Sequence, residues 1–389
     1  MQSGHGAHVV DVDGNRFVDY VLGLLPIVLG YTDPDVDAAV REQLDRGVSF
    51  SLATPLEADL ADRLIRLIPC AEMVRYGKNG SDVTTAAIRL ARAYTGRDEV
   101  AVLGYHGWHD WYIGTTPRNA GVPEAVKRLT HAVPYNDADA LEDLLRRRGD
   151  KLAAVILEPS SKTPPLPGYL QRLRELTQRH GVLLVFDEII TGFRIGMGGA
   201  QAYYGVTPDL ACFGKAMANG LPLSTLVGRA DIMRDMDKIF FSTTFGGEAL
   251  SLAAAIATID KLERENGPER MWRLGERLIA AVNGALSRHG LANQISMGGE
   301  GWWPRLTLHP QGAASAEVLG ALLRQELAER GILFSASFNL CLAQDDPAVE
   351  AETLAAFDGA AAVLREALAG PDPRSALRGP LVAPGFSVR

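Results

Sequence analysis

Cysteine is scarce in this sequence: Cys70, Cys212 and Cys341 lie far apart among 389 residues, with no C-x-x-C pair. That spacing excludes a disulfide framework and a cysteine-based zinc site, and leaves the three thiols as small buried hydrophobes. Clustered positive charge is missing as well. The formal net charge is −8 and the pI about 5.6, whereas nonspecific binding to nucleic acid or an anionic membrane needs cationic patches that displace counterions. Nucleic acid and membrane are therefore set aside as partners, and a small molecule is favoured. The apolar stretch VLGLLPIVLG is too short to span a bilayer, and the opening MQSGHGAHVV carries no basic export signal, so the cytoplasm is the expected location. No G-x-G-x-x-G follows an early strand, which weighs against a nucleotide-binding oxidoreductase. There is no internal repeat.

Hydrophobic residues supply 47% of the chain and charged residues 22%. This is globular composition, in a chain long enough for a large α/β body and a smaller second unit. The alternating segments VVDVD and RFVDY around Gly14-Asn15 predict two short strands and a turn. Helical spacing of apolar residues follows over 34–47 and 55–68, then over 82–95. Near-continuous apolar runs at 100–103, 153–157, 182–186, 209–213 and 224–228 alternate with helical segments such as 170–180. That pattern predicts strands buried on both faces of a mostly parallel sheet. Residues 45–262 are assigned to this large unit, and 1–44 with 263–389 to the smaller one. Beyond 249 the sequence gives long helices, a strand-like stretch at 305–308 and a last helix over 351–369. The final twenty residues hold four prolines and predict a surface wrap.

Chemistry concentrates where two of the buried runs end. One closes in Val185-Phe186-Asp187-Glu188, and Lys215 follows Asp187 by 28 residues, soon after Leu210-Ala211-Cys212-Phe213. In open α/β sheets ligands gather outside the carboxyl ends of the strands. A lysine there can form a Schiff base with an aldehyde cofactor, and a carboxylate can keep a pyridine nitrogen protonated so that the ring draws electrons. Small residues crowd the lysine in Cys212-Phe213-Gly214-Lys215-Ala216-Met217-Ala218-Asn219-Gly220, an apolar setting that lowers an amine's pKa. Gly77-Lys78-Asn79-Gly80-Ser81-Asp82 precedes the helical run VTTAAIRLARAY, a glycine turn and hydroxyl at a helix start that suit a phosphate. An ordinary N-cap explains that turn equally well when it is taken alone.

Together these strings, with Tyr105-His106-Gly107, Asp187 to Arg194 and Thr243-Thr244-Phe245-Gly246-Gly247, resemble the class III pyridoxal-5′-phosphate (PLP) aminotransferases over nearly the whole chain. The closest resemblance is to the glutamate-1-semialdehyde 2,1-aminomutase branch. It implies the fold type I architecture of aspartate aminotransferase, with PLP held covalently by Lys215 and its pyridine nitrogen met by Asp187. By the same resemblance Gly80 and Ser81 bind the phosphate, Tyr105, with His106 beside it, forms the platform under one ring face, and Ile189 covers the other. Thr244 would reach the phosphate of a neighbouring subunit in a homodimer. The implied reaction uses Lys215 as tether and general base while an amino group moves from an amino-acid donor, with L-glutamate expected, to a small carbonyl acceptor. An intramolecular aminomutase is the alternative.

Departures from the aminomutase pattern bear on the substrate. The chain begins near the first strand pair, short of a segment that contributes to carboxylate binding in the aminomutases. Asn339 stands where the family usually has glutamate, Gln344 where a histidine is common, and Thr163 where an asparagine approaches the cofactor hydroxyl. Trp108 and Trp302 are candidates for lining the substrate entrance, where a ring-shaped acceptor would suit them, although indole burial in a core explains them equally. Arg194 is a candidate carboxylate grip, with a structural ion pair as the competing reading.

Overall fold

The computed structural model describes residues 1–381 apart from 313 and 336. The chain divides into two compact units, one formed by Asp35–Glu265 and the other by Met1–Pro34 with the described residues from Asn266 onward. The divisions thus fall at 34/35 and 265/266, against the expected 44/45 and 262/263. From Asp35 on, the helix Pro34–Arg46 goes with the larger unit, where Asp35 accepts from Arg264 at 2.5 Å.

Within the Met1–Pro34/Asn266 unit, β1 (Ser3–His5), β2 (His8–Val10) and β3 (Arg16–Asp19) form a meander. The turn before β3 is closed by Asp11, whose carboxylate accepts from the backbone N–H of Asp13 and Asn15, both at 2.9 Å. The larger unit carries seven strands: β4 (Met73–Gly77), β5 (Glu99–Leu103), β6 (Thr130–Ala132), β7 (Leu152–Leu157), β8 (Leu183–Asp187), β9 (Leu210–Phe213) and β10 (Ser224–Gly228). Their order is β4-β10-β9-β8-β7-β5-β6. Every neighbouring pair from β9 to β6 is parallel, while β10 runs antiparallel to both β4 and β9. Back in the first unit, β11 (Ile295–Gly298) pairs with β12 (Arg305–Leu308), and β13 (Ile332–Leu333) adds to β3 in parallel. The predicted last helix spans Pro347–Ala369. Of the expected surface wrap, residues from 382 on lie outside the described range.

Every residue of β5, β7, β8, β9 and β10 is buried. This is why those segments read as unbroken apolar runs: both sheet faces are covered. Helix Gly80–Thr95 supplies part of the cover, setting Val83, Ala87, Leu90 and Ala91 against Val102, Ile156, Val185, Cys212 and Leu226. Each fully buried large aliphatic side chain contributes roughly 1.5–3 kcal/mol, so an acid at Val185 would break this layer. The helix stops at Gly96, whose φ of +67° suits the left-handed cap position.

Strand β9 is tied to its surroundings by Asp209, the residue before it. The Asp209 carboxylate accepts from the Leu184 N–H of β8 at 2.8 Å, from Arg174 at 2.6 and 3.0 Å, and from Arg229 at 2.9 Å. These bonds hold its pKa below the usual carboxylate value although burial opposes them. Strands β8 and β9, from which Asp187 and Lys215 emerge, are thereby fixed in register.

Candidate active site

The carboxyl ends of β5, β7, β8 and β9 share one sheet edge. Register partners Leu103↔Leu157, Leu157↔Phe186 and Asp187↔Cys212 put the residues following each strand side by side. Strand β4 runs in the same direction, so Asn79, Gly80 and Ser81 also emerge there. The larger unit by itself thus gathers Gly80, Ser81, Tyr105, His106, Asp187, Ile189 and Lys215.

Asp187, 5% exposed, ends β8. Its Oδ2 is 2.8 Å from Nδ1 of the buried His106, which must be the protonated nitrogen because a carboxylate only accepts. The other oxygen accepts from the Ile189 N–H at 3.2 Å. The opposite ring nitrogen, His106 Nε2, is buried with no hydrogen-bond partner among the described residues. The Thr84 hydroxyl fixes the histidine's backbone by donating to its carbonyl at 3.0 Å.

Lys215 opens a single 3₁₀ turn after β9 with φ of +44°, a left-handed conformation rare for a lysine. Burial pushes its amine pKa below the ordinary lysine range; Asp187 and Glu158 oppose the shift, and Arg194 adds to it. Arg194 is 1% exposed. Ile189 lies between the two backbones that flank this edge: a Cβ on Gly80 would meet it at 3.3 Å, and one on Gly214 at 3.1 Å.

At the start of helix Gly80–Thr95 the Asp82 carboxylate accepts from Asn79 N–H at 2.7 Å and Lys78 N–H at 3.0 Å. The N–H groups of Gly80 and Ser81 belong to the first turn and have no carbonyl within the helix to bond. Ser81 faces Gly107, whose φ is +100°; a Cβ there would lie 2.2 Å from Ser81 Oγ, so no other residue fits. The Trp108 N–H is 3.4 Å from the same hydroxyl. Beyond it the Trp108 indole is 69% exposed and the Tyr105 ring 43%.

Thr244, Trp302 and Asn339 complete the expected set. Thr244 is exposed in a turn of the larger unit, next to Phe245 and near Phe240, which are 58% and 83% exposed. Trp302 and Asn339 belong to the other unit and are used in its interior. Trp302 is 2% exposed and donates its indole N–H to Glu300 at 3.0 Å. Asn339 accepts from Trp303 Nε1 at 2.9 Å and donates to the Val21 carbonyl at 2.8 Å. Gln344 bridges Cys341 N–H and the Asp19 carbonyl at 2.9 and 2.8 Å. Two acids received no role from the sequence. Glu158 accepts from the Tyr105 N–H at 2.9 Å. Glu188, fully buried, accepts from Thr191, Ala200 and Gln201 and locks the loop after β8.

The family model for class III aminotransferases matches residues 1–301. The chain belongs to the class III aminotransferases. Its relatives include a 3-aminobutyryl-CoA aminotransferase of Cloacimonas acidaminovorans, 40% identical over 312 residues, covering 78% of this chain and 74% of that protein. Another is a glutamate-1-semialdehyde 2,1-aminomutase of Roseiflexus castenholzii, 36% identical over 395 residues, covering 94% and 91%. An omega-transaminase structure from Sphaerobacter thermophilus superposes with a TM-score of 0.83 at 31% identity, covering 92% of this chain and 90% of that one. The fold is therefore type I, and this class III aminotransferase is a PLP-dependent enzyme. The sheet edge offers what PLP needs: an amine with a lowered pKa, a buried carboxylate, N–H groups at a helix start with no carbonyl partner within the helix, and an aromatic ring. No helix among the described residues is long and apolar enough to cross a membrane.

Proposed function

We propose that Lys215 binds PLP covalently and that the enzyme moves an amino group from L-glutamate to an aldehyde or ketone of a small biosynthetic intermediate. The observation that carries the reading is the emergence of Lys215 and Asp187 from adjacent parallel strands at one sheet edge, with burial favouring the neutral amine. When bound, PLP supplies an electron sink for the carbon that bears the amino group. Asp187 holds a proton at the pyridine nitrogen, and His106 orients Asp187. Gly80 and Ser81 bind the phosphate through helix N–H groups and the serine hydroxyl. Tyr105 and Ile189 hold the two ring faces. With its Nζ freed by the incoming amino group, Lys215 would take up and return the proton at the substrate's amino-bearing carbon. Trp108 and Arg194 are the residues we assign to the substrate, as an exposed indole wall and a buried cation beside the lysine. Trp302 and Asn339 we assign to bracing their own unit.

We further propose a cytoplasmic homodimer in which Thr244 completes the partner's phosphate site. Exposed Phe240 and Phe245 around Thr244 support a covered surface there, and three buried free thiols fit a reducing compartment. Transfer between two molecules is the activity named for the Cloacimonas relative; the aminomutase name of the Roseiflexus relative supports the second reading, transfer within one molecule.

The test is to add L-glutamate to the purified PLP-loaded protein and follow its visible absorbance while quantifying 2-oxoglutarate. Loss of the absorbance with one 2-oxoglutarate per site is expected. A stable absorbance without 2-oxoglutarate would reject glutamate as donor and reopen both the donor's identity and the aminomutase reading. Absence of any protein-bound PLP absorbance would reject the site itself.

A further inference from the structure

Glu158 is the residue directly after β7, and the strand register sets it between Gly104, after β5, and Asp187, at the end of β8. Its Oε2 accepts from the Tyr105 N–H at 2.9 Å. The carbonyl of the same peptide, Gly104 O, accepts from the Tyr112 hydroxyl at 2.9 Å. Both polar atoms of one peptide plane are thus gripped by side chains, and the Tyr105 ring hangs from that plane, edge-on to Tyr112 with centroids 5.6 Å apart. Gly104 makes the grip possible. Its φ is +125°, and a Cβ would lie 2.7 Å from Glu158 Oε2 and 3.1 Å from Glu158 Cγ.

A neutral amide or hydroxyl could accept one backbone N–H as well. A carboxylate beside a second carboxylate carries a cost that such a bond alone does not explain. We propose that Glu158 is a positioning residue of the active site: it fixes the peptide plane that presents Tyr105, and its charge joins that of Asp187 in favouring a positive charge at Lys215. Burial, and then Asp187, push Glu158 up from the ordinary carboxylate value, while His106, the Tyr105 N–H and Lys215 hold it down. At Lys215 burial lowers the amine's pKa, the charges of Asp187 and Glu158 oppose it, and Arg194 adds to it. Burial favours the lysine's release of a proton, and the two acids offset part of that effect.

The proposal rests on the reading of Tyr105 and Lys215 as cofactor residues, and two variants test it. Glu158→Gln keeps an acceptor for the Tyr105 N–H and removes the charge; Glu158→Ala removes both. The readouts are PLP affinity, thermal unfolding, and the pH dependence of Lys215 modification by reductive methylation in the PLP-free protein. With Glu158→Gln, PLP affinity is expected to stay within about twofold, while the midpoint of Lys215 reactivity moves to lower pH because a stabilising negative charge is gone. With Glu158→Ala the same shift comes with PLP affinity about tenfold weaker. An unmoved midpoint in Glu158→Gln overturns the proposal, as does parental PLP affinity in a folded Glu158→Ala. If Glu158→Ala does not fold, the midpoint in Glu158→Gln decides. Failure of the cofactor reading looks different: Lys215→Ala would then keep the parent's PLP absorbance whatever residue 158 is.

Discussion

At Lys215 two effects oppose each other. Burial disfavours the ammonium while Asp187 and Glu158 favour it, and burial wins, leaving the pKa below the ordinary lysine range. Capture of PLP by the PLP-free protein requires the neutral amine, so its rate is expected to rise with pH and to level off below the pH at which an exposed lysine would. A midpoint at the ordinary lysine value would contradict the buried setting. Lys215→Ala is expected to lose the visible PLP absorbance and to lower turnover by about 1,000-fold. Gly107 makes a sharper geometric claim. An added methyl meets Ser81 Oγ at 2.2 Å on a backbone with φ of +100°, and that conformation alone costs an L-residue roughly 1–2 kcal/mol. Gly107→Ala should therefore weaken PLP binding by about tenfold in a protein whose secondary structure by circular dichroism is unchanged. Unaltered affinity would remove Ser81 from the phosphate site.

At the scale of elements, the residues proposed to perform chemistry depend on how β8 and β9 are held. Asp209 joins them to helix Tyr169–His180 through Arg174 and to the end of β10 through Arg229, with its carboxylate 3% exposed. Asp209→Ala strands Arg174, while Arg229 keeps its bonds to Asp231, and breaking the largely buried Arg174–Asp209 pair costs about 3 kcal/mol. The thermal midpoint of the PLP-free protein should fall accordingly, and PLP affinity with it. Because the folded pKa of Asp209 is depressed, its contribution is full above the unfolded carboxylate value and is lost as pH falls below it. The difference in thermal midpoint between parent and variant should therefore narrow in acid; a constant difference would argue against the ion pairs. The strands around Asp209 were legible in the sequence because β5, β7, β8, β9 and β10 are buried on both faces and spell apolar runs. Strands β4 and β6 were not, since MVRYG and THA lie at the sheet's edges and are only partly buried. Nor was the antiparallel direction of β10, because an apolar run does not record which way it crosses. The candidate site residues that the sequence could single out are those in local motifs, Asp187, Lys215 and Gly80-Ser81. Glu158 escaped because its partner, the Tyr105 N–H, is 53 residues away and meets it only through the β5–β7 register.

At the scale of the whole molecule the question is whether one chain makes a complete site. Thr244 stands in an exposed turn, and Phe240 and Phe245, close to it in the chain, are open to solvent. Large exposed aromatic rings are unfavourable on a surface that stays wet, and a second copy covering them would carry Thr244 to a neighbour's phosphate site. Mixing two inactive variants separates this from a site built within one chain. In a heterodimer of Lys215→Ala and Thr244→Ala chains, action across the interface leaves one site with neither residue and the other with both. Half of the sites then bind PLP as tightly as in the parent, and activity returns on mixing. If Thr244 serves its own chain, each site of the heterodimer still lacks one of the two, and mixing restores nothing. A titration ending at one tightly bound PLP per two chains is the expected result, and no gain on mixing would return Thr244 to the role of a turn hydroxyl.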